Sequence, residues 1–271
     1  MHKTWLLLGA LGFMAGANAE AQRVVTVTAR DYRFDAPASI PAGTVTFKLK
    51  NTGKEIHHLW IVELADGKTP AEFTAIMKNW GSELKMPKWA TDVGGPNSAD
   101  PSQVADGTMT LDPGTYMLVC WIPSSDGMLH VMKGMVRPLT VTARGATKPA
   151  EPTADINVML DDYVFELSTP ITAGRHTIRV DNRAMQSHEV VIGRLHDGHS
   201  MKDAIVWMNA GQYGQSPVTA IGGAAGLATG RHMFFTADFK PGKYVLLCFI
   251  PDAKDGRAHS DHGMIKEIVV P

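Results

Sequence analysis

The chain contains two cysteines, and each opens the same short series of metal-binding side chains. In GTYMLVCWIPSSDGMLHVMKGM, residues 114–135, Cys120 is followed by His130 and Met135. In GKYVLLCFIPDAKDGRAHSDHGM, residues 242–264, Cys248 is followed by His259 and Met264. Four residues separate His from Met in both copies. A second histidine, His57 or His188, stands upstream of each series and leads into an apolar run, LWIV or VVI. Two imidazoles, a thiolate and a weak axial thioether form a donor set in which soft sulfur stabilises Cu(I) while imidazole accommodates Cu(II). That chemistry is written once per copy.

The copies extend far beyond the loops. Asp31-Tyr32 recurs as Asp162-Tyr163, Ala42-Gly43 as Ala173-Gly174, Asn51 as Asn182 and His57 as His188, at an offset of 131 residues. Gly94-Gly95 returns as Gly222-Gly223, Pro113-Gly114 as Pro241-Gly242 and Cys120 as Cys248, at an offset of 128. Insertions and deletions therefore fall between the motifs, as a duplicated fold requires.

The elements that must position these residues read as strands. VVTVTARDYRF, TVTFKLKN, HLWIVEL, MTLDPGTYMLVCWI and VRPLTVTA alternate or run apolar and are broken by Gly, Pro, Asn and Asp; the second half repeats the plan. Short strands at this spacing describe β-sandwiches, with helices expected over residues 70–80 and 200–209. The segment GATKPAEPT, residues 145–153, has few apolar residues and two prolines and reads as a linker. The expected organisation is a leader over residues 1–19, one domain over 20–144, the linker, and a second domain over 154–271. The loop GGPNSADPSQVAD, residues 94–106, is longer than its partner at 222–230. If the halves differ in what they touch, that insertion is the place.

Composition bounds the partners and the compartment. The 271 residues are 44% hydrophobic and 20% charged, with a formal net charge of -1. No basic stripe is long enough to follow a phosphate backbone, so nucleic acid is a poor partner. MHKTWLLLGALGFMAGANAEAQ has a positive start, a short apolar stretch and the small-x-small run Ala17-Asn18-Ala19, the pattern of a secretory signal cleaved after Ala19. No second segment could cross a bilayer, and a periplasmic or secreted protein is expected. An oxidising compartment favours disulfides, yet one Cys per copy leaves each half nothing to pair with internally. Both cysteines follow apolar strands and are expected as free thiols inside separate sandwiches. A buried thiol is also a small core hydrophobe, so position alone does not make it a ligand.

At these residues the chain resembles the cupredoxin family. The resemblance covers nearly all of the chain after the leader, twice, and implies an all-β fold of two tandem Greek-key β-sandwiches with short helical insertions. It implies copper, one ion per domain, held by His57, Cys120, His130 and Met135 and by His188, Cys248, His259 and Met264. The pairs Gly134-Met135 and Gly263-Met264 agree with the small blue-copper proteins. One departure stands out: nine residues separate Cys from His in the first copy and ten in the second, where those proteins use two to four. Each excess holds a Pro and an Asp-Gly turn signal, so it can fold back as a hairpin and return the His.

Other histidines compete less well. His58 has Glu189 as its counterpart and His262 has Lys133, so neither serves both copies. Neighbouring strand residues point to opposite faces, so only one of His57 and His58 is expected to face the interior. His196 and His199 read as loop residues, His176 and His232 as exposed strand residues. Trp121, matched by Phe249, must lie beside the site. Multicopper oxidases and copper nitrite reductases need His-x-His pairs and a His directly beside the cysteine; Cys120 is flanked by Val119 and Trp121, and Cys248 by Leu247 and Phe249. An enzymatic role is therefore disfavoured. The leading reading is an exported tandem cupredoxin that passes electrons to a redox protein partner or holds copper. The alternative is a non-enzymatic binding or structural module that keeps the sandwich without a working copper site.

Overall fold

A computed structural model of the protein describes residues 23–78, 86–143, 150–210 and 215–271. The expected leader and the greater part of the expected linker lie outside the described residues. The first half contributes β1 (Arg23–Arg30), β2 (Arg33–Asp35), β3 (Ser39–Pro41), β4 (Gly43–Asn51), β5 (Trp60–Leu64), α1 (Pro70–Lys78), β6 (Ala90–Gly94), β7 (Val104–Leu111), β8 (Gly114–Val119) and β9 (Val136–Thr142). The second contributes β10 (Ile156–Asp161), β11 (Val164–Leu167), β12 (Gly174–Asn182), β13 (His188–Leu195), α2 (Met201–Asn209), β14 (Val218–Leu227), β15 (His232–Phe239), β16 (Gly242–Leu247) and β17 (Ile265–Val270).

Period-two alternation builds the core from both halves. Val25, Val27 and Ala29 of β1 are buried, as are Ile156, Val158 and Leu160 of β10, while the residues between them are more exposed. Helix α1 is capped reciprocally, since the Glu72 amide donates to Thr69 Oγ1 and the Thr69 amide to Glu72 Oε2. Ser200 and Asp203 cap α2 in the same way. Among the described residues no helix is long and apolar enough to cross a membrane.

The halves are not separate sandwiches. One sheet runs β11-β10-β12-β15-β7-β4-β1-β2 and the other β17-β16-β13-β14-β6-β5-β8-β9-β3, so each passes through both halves. The joins are β15 with β7, where Phe234 faces Thr108, and β14 with β6, where Leu227 faces Val93. Cys120 and Cys248 consequently sit in one continuous apolar cluster rather than in two isolated cores. Joining sheets edge to edge hides four strand edges that two free sandwiches would expose. The signals for strands are local, whereas the seam is made by strand edges, which the side-chain pattern does not describe.

A second correction concerns VVTVTARDYRF. The run is two strands, because the chain reverses at Asp31-Tyr32 and pairs Ala29 with Phe34. Tyr32 adopts φ 62 and its repeat Tyr163 φ 66. A positive φ is uncommon for a bulky residue and persists where the surroundings fix it. The site supplies that fixation.

Candidate metal centres

In each half the backbone brings Cys, His and Met together around a tight excursion. After Cys120 the chain turns at Gly127, bridges Pro123 to Leu129, and returns so that the His130 amide donates to the Ile122 carbonyl at 2.9 Å and the Val131 amide to the Cys120 carbonyl at 2.8 Å. The second half matches it, with Pro251 bridged to Ala258 and the His259 amide donating to the Ile250 carbonyl at 2.9 Å. The long Cys-to-His segments are therefore hairpins that hand the second histidine back to the cysteine. Gly134 and Gly263 then turn the chain with φ 105 and 97. The Met135 and Met264 carbonyls accept from the Cys120 and Cys248 amides at 3.2 and 3.3 Å. Both methionines are fully buried in the apolar cluster that holds the cysteines.

The first histidine is set by a repeated asparagine. Asn51 Nδ2 donates to the Glu55 and Ala99 carbonyls, and its Oδ1 accepts from the Gly53 amide, all at 2.8 Å. Asn182 does the same with the Gln186 and Leu227 carbonyls and the Ala184 amide. Each asparagine thus pins the loop that delivers His57 or His188.

The donor atoms converge. Cys120 Sγ lies 3.4 Å from His130 Nδ1 and 4.0 Å from His57 Nδ1, and the two Nδ1 atoms are 3.1 Å apart. Cys248 Sγ lies 3.3 Å from His259 Nδ1 and 3.8 Å from His188 Nδ1. In each set the ligand atoms lie within 4.8 Å of one another, and all six residues are fully buried. The outer nitrogens face carboxylates: His57 Nε2 donates to Asp31 at 3.3 Å, His130 Nε2 to Glu55 at 2.6 Å and His188 Nε2 to Asp162 at 3.1 Å. A neutral imidazole that donates from Nε2 presents a bare lone pair at Nδ1. Two such lone pairs facing each other across a thiol repel unless a cation stands among them, so the side chains present fit a metal. The carboxylates fix the tautomer that a ligand needs.

Sequence reading missed this surrounding layer. The Asp-Tyr pair repeats because Asp31 and Asp162 hold the first histidines while Tyr32 and Tyr163 pack edge-on against the second, with ring centroids 5.2 and 5.6 Å from His130 and His259. The Tyr32 hydroxyl donates to Glu55 at 3.0 Å, and the Tyr163 hydroxyl to Asp252 at 2.5 Å. The third carboxylate has changed places between the copies. Glu55 and Ser124 of the first half correspond to Gln186 and Asp252 of the second, joined in each case by a side-chain hydrogen bond. At 3.8 Å Asp252 stands off from His259 Nε2, which has no hydrogen-bond partner, so the two centres differ in this one contact.

His58 corrects the expectation that one of the pair faces outward. His57 is fully buried and His58 is 5% exposed, because the second half covers the face that would otherwise meet water. A cavity of about 1060 Å³ runs along the seam, lined by His58, Trp60, Trp121, Trp207, Glu189 and Phe249 among others; none of the converging Cys, His and Met residues lines it. His199 is exposed, while His196, His176, His232 and His262 are partly buried. Among the described residues the remaining cluster of potential ligands, Asp252, Asp255 and His262, is partly exposed and internally hydrogen-bonded.

Protonation sets what binding must release. Burial pushes the Cys120 thiol up to about 12 and raises that of Cys248 also. Burial, with the neighbouring imidazole second, pushes His57 and His259 down to about 4, and burial lowers His130 and His188 as well. At neutral pH the imidazoles carry no competing proton and the thiols carry one each. A thiolate-seeking cation should therefore displace about two protons per chain, and its affinity per site should rise about tenfold per pH unit across the neutral range. Indicator titration in weak buffer measures this; release near zero would remove the cysteines from the ligand set.

No protein-family model and no curated protein matches the chain. Among solved structures it is similar to a dithionite-reduced auracyanin from Roseiflexus castenholzii, at 21% identity and TM-score 0.33, covering 45% of this chain and 98% of that one. It is also similar to a copper-containing nitrite reductase from Thermus scotoductus, at 13% identity and TM-score 0.26, over 93% of this chain and 62% of that one. A blue copper oxidase from Nitrosomonas europaea matches at 14% identity and TM-score 0.28, over 92% and 86%. These likenesses are remote, and the chain's own geometry carries the assignment. With two fused β-sandwiches, each gathering a buried His, Cys and His with a buried Met next in line, the chain repeats twice the arrangement that the cupredoxin resemblance implies.

Proposed function

We propose that the protein binds one copper ion in each half, through His57, Cys120, His130 and Met135 and through His188, Cys248, His259 and Met264. The observation that carries this reading is the convergence, twice, of two inward Nδ1 atoms on a buried cysteine sulfur. Bound there, copper would supply one-electron redox chemistry. The chain's own residues do the rest. Carboxylates orient three of the four imidazoles, the Glu189 amide donates to Cys248 Sγ at 3.4 Å, and the apolar cluster keeps water away from the sulfur. A donor set already assembled before binding has little to rearrange, which suits a site that passes or holds an electron.

The leader pattern supports placing the protein outside the cytoplasm, and the partner this reading implies is a redox protein. His130 and His259 are fully buried under their hairpins and tyrosines, so exchange with such a partner passes through those covering residues. Cu(II) added in steps to the metal-free protein should develop an intense thiolate-to-copper absorption that saturates at about two equivalents per chain. Saturation at one equivalent would leave one half without a working site, and absence of the band would favour the metal-free binding module.

A further inference from the structure

The two candidate ligand sets are joined across the seam by a path of hydrogen bonds and short backbone segments. Trp121 follows Cys120, and its amide donates to His58 Nε2 at 2.8 Å. His58 connects to Asn97 through the backbone, since the Leu59 amide that follows it donates to the Pro96 carbonyl at 2.9 Å and Pro96 precedes Asn97. Asn97 Nδ2 donates to Glu189 Oε2 at 2.9 Å, and Glu189 Oε1 accepts from the Phe249 amide at 3.0 Å. Phe249 follows Cys248. His58, Asn97 and Glu189 are all buried.

This bridge explains a break in the internal repeat. His57 and His188 match, yet the next residues are His58 and Glu189. Each accepts the amide that follows its cysteine, and Glu189, with a second carboxylate oxygen, also accepts from Asn97 across the seam. The Asn itself occurs in one copy only, in the longer loop of the first half, where the second has Ala225. One asymmetric residue, matched by one asymmetric pair, is what a link between two otherwise equivalent centres demands.

We propose that His58, Asn97 and Glu189 form the path by which the two centres exchange an electron inside the chain. This rests on the copper reading above. One electron leaves one centre and arrives at the other, with no proton or second reactant required. The bridge enters the backbone at the residue after each cysteine, so it reaches both sulfurs through short covalent segments.

The test uses the full chain carrying Met264→Gln, which separates the two bands and potentials by changing one axial ligand. After pulse reduction, opposite changes at the two bands should follow a first-order course independent of protein concentration. Adding Asn97→Leu, which removes the hydrogen bond to Glu189 across the seam, should slow that course by about tenfold, in the range that breaking a coupling network gives. Both static bands should persist. Glu189→Gln, which sets donor against donor, is the second variant and should act in the same direction. In metal-free protein, hydrogen exchange at the Trp121 and Phe249 amides should quicken together in both variants. An unchanged rate with both bands intact overturns the bridge alone, as does unchanged amide protection. Absence of bands in the parent chain refutes the copper reading itself.

Discussion

Cys120→Ser should remove about half of the thiolate-to-copper absorption, Cys248→Ser the other half, and the double variant should be colourless. The expectation of halves assumes similar intensity at two sites that share no ligand, for which effects add. Serine keeps the size of cysteine but replaces a soft thiolate by a hydroxyl that stays protonated, so the charge-transfer transition disappears even where the histidines still hold a metal. The fold should tolerate the change. The serine oxygen can accept the amide hydrogen bonds that the sulfur receives, and the loss should be about 1–2 kcal/mol in the metal-free protein. Absorption and copper content are read together on each variant. If either single substitution removes all colour while the other half still binds copper, the colour arises from one centre and the tandem reading fails.

The candidate ligands were legible because their chemistry is local and repeated. Cys120, His130 and Met135 stand within one loop, and their recurrence at Cys248, His259 and Met264 removes coincidence. The hairpin excursion was also readable from Pro and Asp-Gly. The surrounding carboxylates were not. Asp31 and Asp162 appeared only as markers of the repeat, since nothing in the string Asp-Tyr says that the chain reverses there and lays the pair over two histidines. Glu55 and Asp252 were harder still. They fall at non-equivalent positions, so a search for matched residues passes over a carboxylate that has moved from one side of a hydrogen bond to the other.

The seam was invisible for a related reason. Hydrophobic periodicity shows which face of a strand is buried, not whether its edge continues into another sheet. The reading of His58 failed on this point. Alternation correctly sent it to the face opposite His57, but that face is a second interior made by the other half. Two observations could have hinted at this: the divergence of His58 and Glu189 within a faithful repeat, and the polar insertion around Asn97 present in one copy only.

The glycine pairs expose the same seam, and their substitution should be among the most damaging in the chain. Gly95 and Gly223 have φ 137 and 133, a region that L residues rarely enter. A Cβ at Gly95 would lie 1.9 Å from the Leu59 carbonyl oxygen, and one at Gly223 2.0 Å from that of Val190. Both obstacles are backbone, two residues beyond His57 and His188, so neither can swing aside without moving the strand that carries the first ligand. The same glycines also cross the halves reciprocally: the Ala225 amide donates to the Gly95 carbonyl at 2.9 Å and the Asn97 amide to the Gly223 carbonyl at 3.3 Å. Gly95→Ala and Gly223→Ala should each lower stability by roughly 3–5 kcal/mol, combining backbone strain with overpacking. Gly127→Ala and Gly256→Ala provide the comparison, with φ 80 and 74 but nothing within 4 Å of the added carbon. These should lose about 1–2 kcal/mol, the backbone contribution alone. Urea unfolding of the four metal-free variants separates the contributions. Equal losses at Gly95 and Gly127 would mean that Leu59 yields easily, and the first histidine would then be held by the Asn51 loop rather than by the packing of β5 against β6.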